Sequence, residues 1–102
     1  MTLQTIAKVS DTPPGTISVH EVGELRIALC NVNGRFYAID DICTHDGGSL
    51  DQGELLDNLV ECPRHGARFD VTTGRPLTLP AVRPVKTYAV TVEGDDVRVE
   101  LG

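Results

Sequence analysis

Leu25, Ile27 and Leu29 alternate with Arg26, Ala28 and Cys30, a period of two that predicts a half-buried β-strand. Asn33-Gly34 follows, two residues that tolerate the positive φ of a type I′ turn, so a hairpin into Arg35–Asp40 is predicted. The same rhythm returns near the C-terminus, where Val85–Glu93 and Val97–Leu101 flank Gly94-Asp95-Asp96. Gln4–Val9 and Thr16–Val22 add two strands on thinner patterns. The middle of the chain breaks the alternation. His45-Asp46-Gly47-Gly48-Ser49-Leu50 is a Gly-rich excursion, Leu59–Glu61 and Arg68–Val71 read as short strands, and Thr72-Thr73-Gly74-Arg75-Pro76 as a turn. No helix beyond a turn or two, no repeat, no low-complexity tract and no linker is predicted. The expectation is an all-β antiparallel fold.

Composition narrows this. A chain of 102 residues forms one domain, 1–102. With two Phe, two Tyr and no Trp, its core must be built from Val, Leu and Ile and is thin. A metal centre tying two loops together would add folding free energy that such a core lacks. The N-terminal residues show no apolar signal core and no twin arginine, and no run approaches the length of a membrane span. With free-thiol cysteine usage, this leads to an expectation of the cytoplasm. A formal net charge of −6 disfavours nucleic acid and anionic membranes and suits transient docking onto basic protein patches, as a monomer.

Candidate chemistry sits in the interrupted middle. Cys43-Thr44-His45 and Cys62-Pro63-Arg64-His65 each pair a thiol with an imidazole, separated by sixteen residues between His45 and Cys62. Two of the three His and two of the three Cys are used. Zinc modules usually take both Cys from one short step and both His from another, whereas here the order interleaves Cys, His, Cys, His. Ligands one residue apart, as in Cys43 and His45, are awkward for chelating one ion and natural for reaching two neighbouring irons. A zinc-stabilised binding module remains the alternative from a different class. Cys30, in a strand, reads as a small buried apolar residue. His20, between Val19 and Glu21, reads as a surface histidine.

The pattern C-x-H-x16-C-x2-H resembles the Rieske signature, strongly over about thirty central residues and elsewhere by strand rhythm alone. The resemblance implies a Rieske fold: an antiparallel β-sandwich with a small inserted cluster-binding subdomain at about 41–71. It implies one Rieske-type [2Fe–2S] cluster, with Cys43 and Cys62 on one iron and His45 and His65 on the other. Leu79-Pro80-Ala81-Val82-Arg83-Pro84 resembles the family's proline-containing loop over the cluster, although prolines that merely stiffen a connection would look the same.

Higher-potential relatives carry H-G-S-x-Y after the second His, and this chain has His65-Gly66-Ala67-Arg68-Phe69. Both hydroxyls are missing, and Gly48 and Arg64 occupy the positions of those relatives' disulfide. A lower reduction potential is expected, because hydrogen bonds to sulfur stabilise the reduced cluster. Arg64 and Arg68 either lend positive charge to the site or are solvated loop residues. Asp40, Asp41, Asp46, Asp51, Glu54 and Asp57 are candidates for partner docking, or simply a solubilising surface.

A coordinatively saturated cluster leaves one-electron transfer as its task. The chain resembles the stand-alone ferredoxin of aromatic-ring-hydroxylating oxygenase systems, an electron carrier rather than an enzyme, working between a flavin-dependent reductase and a terminal oxygenase. A small Rieske subunit of a nitrite reductase-like complex is the redox alternative.

Overall fold

A computed structural model describes residues 2–41, 53–62, 66–78 and 84–101. Ten strands run through them: β1 (Thr2–Lys8), β2 (Ile17–Val22), β3 (Leu25–Val32), β4 (Arg35–Asp40), β5 (Leu55–Leu56), β6 (Leu59–Glu61), β7 (Arg68–Asp70), β8 (Thr87–Tyr88), β9 (Val90–Glu93) and β10 (Asp96–Leu101). The helical content among the described residues is one 3-10 turn, Val9–Asp11. All pairings are antiparallel, in three sheets ordered β1-β10-β9, β2-β3-β4-β8 and β5-β6-β7. The predicted all-β class is what the chain adopts.

The Asn33-Gly34 hairpin forms in the expected register, with Val32 opposite Arg35. Asn33 and Gly34 have φ of 53° and 93°, the positive values a type I′ turn requires. The Asn31 side chain accepts the Gly34 N–H at 2.7 Å, so the strand end itself fixes the turn.

The half-buried expectation for β3 was too modest. Every residue from Ile27 to Asn31 is buried. Alternate side chains of a strand point to opposite faces, and here both faces are covered. Ile27 and Leu29 join Ala38 and Tyr88 in a core with Ala7, Val97 and Val99. Ala28, Cys30 and Ile39 face the other way, into a core with Val60, Cys62, Ala67, Phe69, Val71 and Val85. The β2-β3-β4-β8 sheet is therefore the middle layer, with the short β5-β6-β7 sheet seated on one side.

The predicted single strand Val85–Glu93 is two. Thr87 and Tyr88 pair with Ile39 and Ala38 of the middle sheet, whereas Val90–Glu93 pairs with β10. Ala89 stands at the corner, its carbonyl accepting the Glu100 N–H at 2.9 Å. A continuous period of two cannot reveal a change of partner. The pattern also missed β5, which is only two residues long.

Candidate metal centre

The second predicted ligand segment begins where β6 ends. β6 and β7 form a hairpin in which Glu61 faces Arg68, and the connection carries Cys62 at one end and Gly66-Ala67 at the other. The Cys62 N–H donates to the Ala67 carbonyl at 2.7 Å, and the Gly66 N–H donates back to the Cys62 carbonyl at 3.0 Å. Gly66 has a φ of +72° with open space where a Cβ would stand. Backbone conformation, not crowding, calls for glycine there. Cys62 is fully buried and in no disulfide.

Of the four predicted ligands, Cys62 is described. Cys43, His45 and His65 lie outside the described residues, as do Gly47, Gly48, Arg64, Asp46, Asp51 and the stretch 79–83. Among the described residues no group of three or more His, Cys, Asp or Glu is gathered in a manner that would hold a metal ion.

Among the described residues, Cys62 is packed in an apolar cluster. Ala67 and Phe69 have no exposed surface and share its core with Val60 and Val71. The two positions singled out for their missing hydroxyls are thus packed in the same core as the thiol. Arg68 lies on β7 with its side chain partly exposed, and its Nε donates to Glu61 Oε2 at 2.9 Å. The guanidinium is balanced by a carboxylate on the adjoining strand.

The approach to the first ligand segment is also fixed. The Asp41 carboxylate has no exposed surface and accepts from Arg26 Nη2 at 3.1 Å and Nε at 3.3 Å. The Asp41 N–H donates to the Arg26 carbonyl at 2.9 Å, and the Asp40 N–H to the Lys86 carbonyl at 2.9 Å. Asp41 is thereby removed from the docking candidates: a carboxylate buried against Arg26 cannot face a partner. Asp40 accepts from the Tyr88 hydroxyl. Glu54 and Asp57 are exposed.

Cys30 is buried as expected, and desolvation, followed by the charge of Asp41, pushes its thiol pKa up to about 12. His20 departs from its expected surface role. It is half-buried, and its Nε2 lies 2.7 Å from Ser18 Oγ, which in turn meets the hydroxyl of fully buried Thr12. Burial lowers the imidazole pKa, an effect that the Asp11 charge opposes. Sequence reading had no signal for this polar line, since it depends on Thr12 folding back beside β2.

Comparison with known proteins places these features. Residues 2–89 match the Rieske [2Fe-2S] domain model. The chain is 44% identical over 101 residues to the ferredoxin component of biphenyl 2,3-dioxygenase from Rhodococcus jostii (strain RHA1), covering 99% of this chain and 94% of that one. It is 46% identical over 94 residues to the ferredoxin subunit of 3-phenylpropionate/cinnamic acid dioxygenase from Escherichia coli (strain K12), covering 91% and 88%. A chain in the solved complex of reduced oxygenase and oxidised ferredoxin in carbazole 1,9a-dioxygenase superposes with a TM-score of 0.89 at 38% identity, covering 95% of this chain and 91% of that one.

Proposed function

The chain belongs to the Rieske [2Fe–2S] domain family, and from that membership we propose that Cys43, His45, Cys62 and His65 hold its one [2Fe–2S] cluster. Cys43 and Cys62 ligate one iron and His45 and His65 the other, within a cluster-binding region at about 41–71 of a single domain. The protein is the ferredoxin component of an aromatic-ring dioxygenase system, an electron carrier rather than a catalyst. When bound, the cluster takes up and releases one electron at a time.

The observation that supports the site is Cys62 itself. A buried thiol outside any disulfide stands at the mouth of the β6–β7 hairpin, and its own peptide N–H and C=O are both engaged by the far side of the loop. Two thiols and two imidazoles are the donor set a mixed-ligand two-iron centre needs. Ala67, Phe69 and Val60 keep the protein side of Cys62 apolar, and low polarity near a cluster is one of the factors that set its potential. Glu61 balances Arg68, so this arginine adds little net charge beside the site.

The electron arrives from a flavin-dependent reductase and leaves to a terminal oxygenase. The complex of oxygenase with ferredoxin known for the carbazole system supports the second step. Among the described residues no helix is long and apolar enough to cross a membrane. We place the protein in the cytoplasm as a monomer that docks transiently, its net charge of −6 favouring salt-sensitive encounters.

Purified protein should be red-brown, contain about two iron and two labile sulfides per chain, and give an EPR signal after one-electron reduction. Cys62→Ser should abolish that signal. Colourless protein containing zinc would overturn the reading.

A further inference from the structure

The segment after Gly74 runs back along the outer edge of β7. Pro76 bridges to Phe69, and the Leu77 N–H donates to the Arg68 carbonyl at 2.8 Å. In a regular antiparallel pair the Arg68 N–H would return that bond to the Leu77 carbonyl. It goes instead to the Thr78 hydroxyl at 2.8 Å, and that hydroxyl donates to the Gly66 carbonyl at 3.4 Å. One side-chain oxygen therefore replaces the last rung of the ladder and spans the peptide groups on both sides of Ala67.

Ala67 is held from its other side as well, by the 2.7 Å bond from the Cys62 N–H to its carbonyl. Gly66, Ala67 and Arg68 are consequently fixed along both edges, by Cys62 on one and Thr78 on the other. Among the described residues no disulfide braces this loop, because both cysteines, Cys30 and Cys62, are free.

We propose that Thr78 is a positioning residue for the Cys62 thiolate, acting through its hydroxyl bridge between Gly66 and Arg68. The inference rests on the assignment of Cys62 as a cluster ligand. Thr78 acts at one remove from the sulfur. It fixes the peptide planes around Ala67, and Ala67 fixes the backbone of Cys62. Displacing that backbone changes the orientation of the sulfur toward its iron, and the geometry around cluster sulfur helps to set the potential.

Thr78→Val keeps the shape and removes the hydroxyl, whereas Thr78→Ser keeps the hydroxyl and removes the methyl. Thr78 is exposed, so both variants should fold with a Tm near that of the parent. The expected result is a displaced midpoint potential and altered EPR g-values in Thr78→Val, together with severalfold faster loss of iron to a chelator, and parental behaviour in Thr78→Ser. Potential and spectrum unchanged in Thr78→Val overturn the proposal, as does an equal displacement in both variants. A parent protein without iron or an EPR signal would instead defeat the cluster assignment beneath it, and with it the proposal.

Discussion

Val85 closes on Gly74 with both halves of its backbone. Its N–H donates to the Gly74 carbonyl at 2.8 Å, and its own carbonyl oxygen lies well inside van der Waals range of where a Cβ on Gly74 would stand. Gly74 is buried, its φ is +81°, and its N–H donates to the Asp70 carbonyl at 2.6 Å. The turn leaving β7 is thereby locked to the chain approaching β8. A side chain is excluded both by conformation and by backbone that cannot step aside.

Gly74→Ala should therefore cost about 3 kcal/mol, combining left-handed strain with a backbone clash. For a domain of this size that lowers Tm by roughly 12–20 °C. Gly94→Ala supplies the control, because Gly94 has a φ of +60° and nothing within 4 Å of where its Cβ would stand; it should cost only about 1 kcal/mol. Thermal unfolding of the two variants decides the matter, and equal losses would show that the Val85 contact adds nothing.

Glu21 and Asp41 should be unequal partners to Arg26. Arg26 Nη1 reaches Glu21 Oε1 at 3.3 Å across an exposed surface, whereas its contact with Asp41 ends on a carboxylate with no exposed surface. Exposed pairs are worth about 0–1 kcal/mol. Weakening the surroundings of a buried carboxylate costs more, and the half-exposed guanidinium tempers this to about 1–3 kcal/mol. Urea unfolding should show Glu21→Ala close to the parent and Arg26→Ala clearly destabilised. Similar midpoints for both would remove Asp41 as a structural anchor.

The hairpin built on Asn33-Gly34 was legible because its information is local: alternation on each side and two residues that accept positive φ. The spacing Cys62-Pro63-Arg64-His65, on which the proposed ligand set rests, is local information of the same kind. What the sequence hid is non-local. Ile27 and Ala28 look like the inside and outside of an ordinary two-layer strand until β5-β6-β7 is known to cover the second face. Ala89 marks no break in the alternation, although the strand pairing changes there. Thr78 carries no pattern at all, and Gly74 is legible only as part of a turn, since their roles come from Arg68 and from Val85, which lies across the turn.

His20 should titrate below its ordinary value of about 6.5, because burial disfavours the imidazolium more than Asp11 supports it. A lowered folded-state pKa means that the fold prefers the neutral ring. The associated stability is fully present above about pH 6.5 and is lost as pH falls through the depressed value. An NMR titration of the His20 ring in the oxidised protein checks the sign directly. Replacing it in His20→Asn should reduce the loss of stability between about pH 7 and 5. A His20 pKa at or above 6.5 would contradict the burial argument.

Ala67 and Phe69 offer the most direct handle on the electron carrier's potential. Both are fully buried in the core that holds Cys62, so a hydroxyl introduced at either position is cut off from bulk solvent. An unpartnered buried hydroxyl costs about 1–3 kcal/mol. One that donates to cluster or ligand sulfur escapes that cost and stabilises the reduced state, in which the sulfurs carry more negative charge. The parent should lie toward the negative end of the roughly −150 to +300 mV Rieske range, and the Ala67→Ser, Phe69→Tyr double variant should move upward with little loss of stability. Protein-film voltammetry and urea unfolding must be read together. A destabilised variant with an unmoved potential would mean that the new hydroxyls do not reach sulfur, and a parent potential well above zero would mean that their absence is not what sets it.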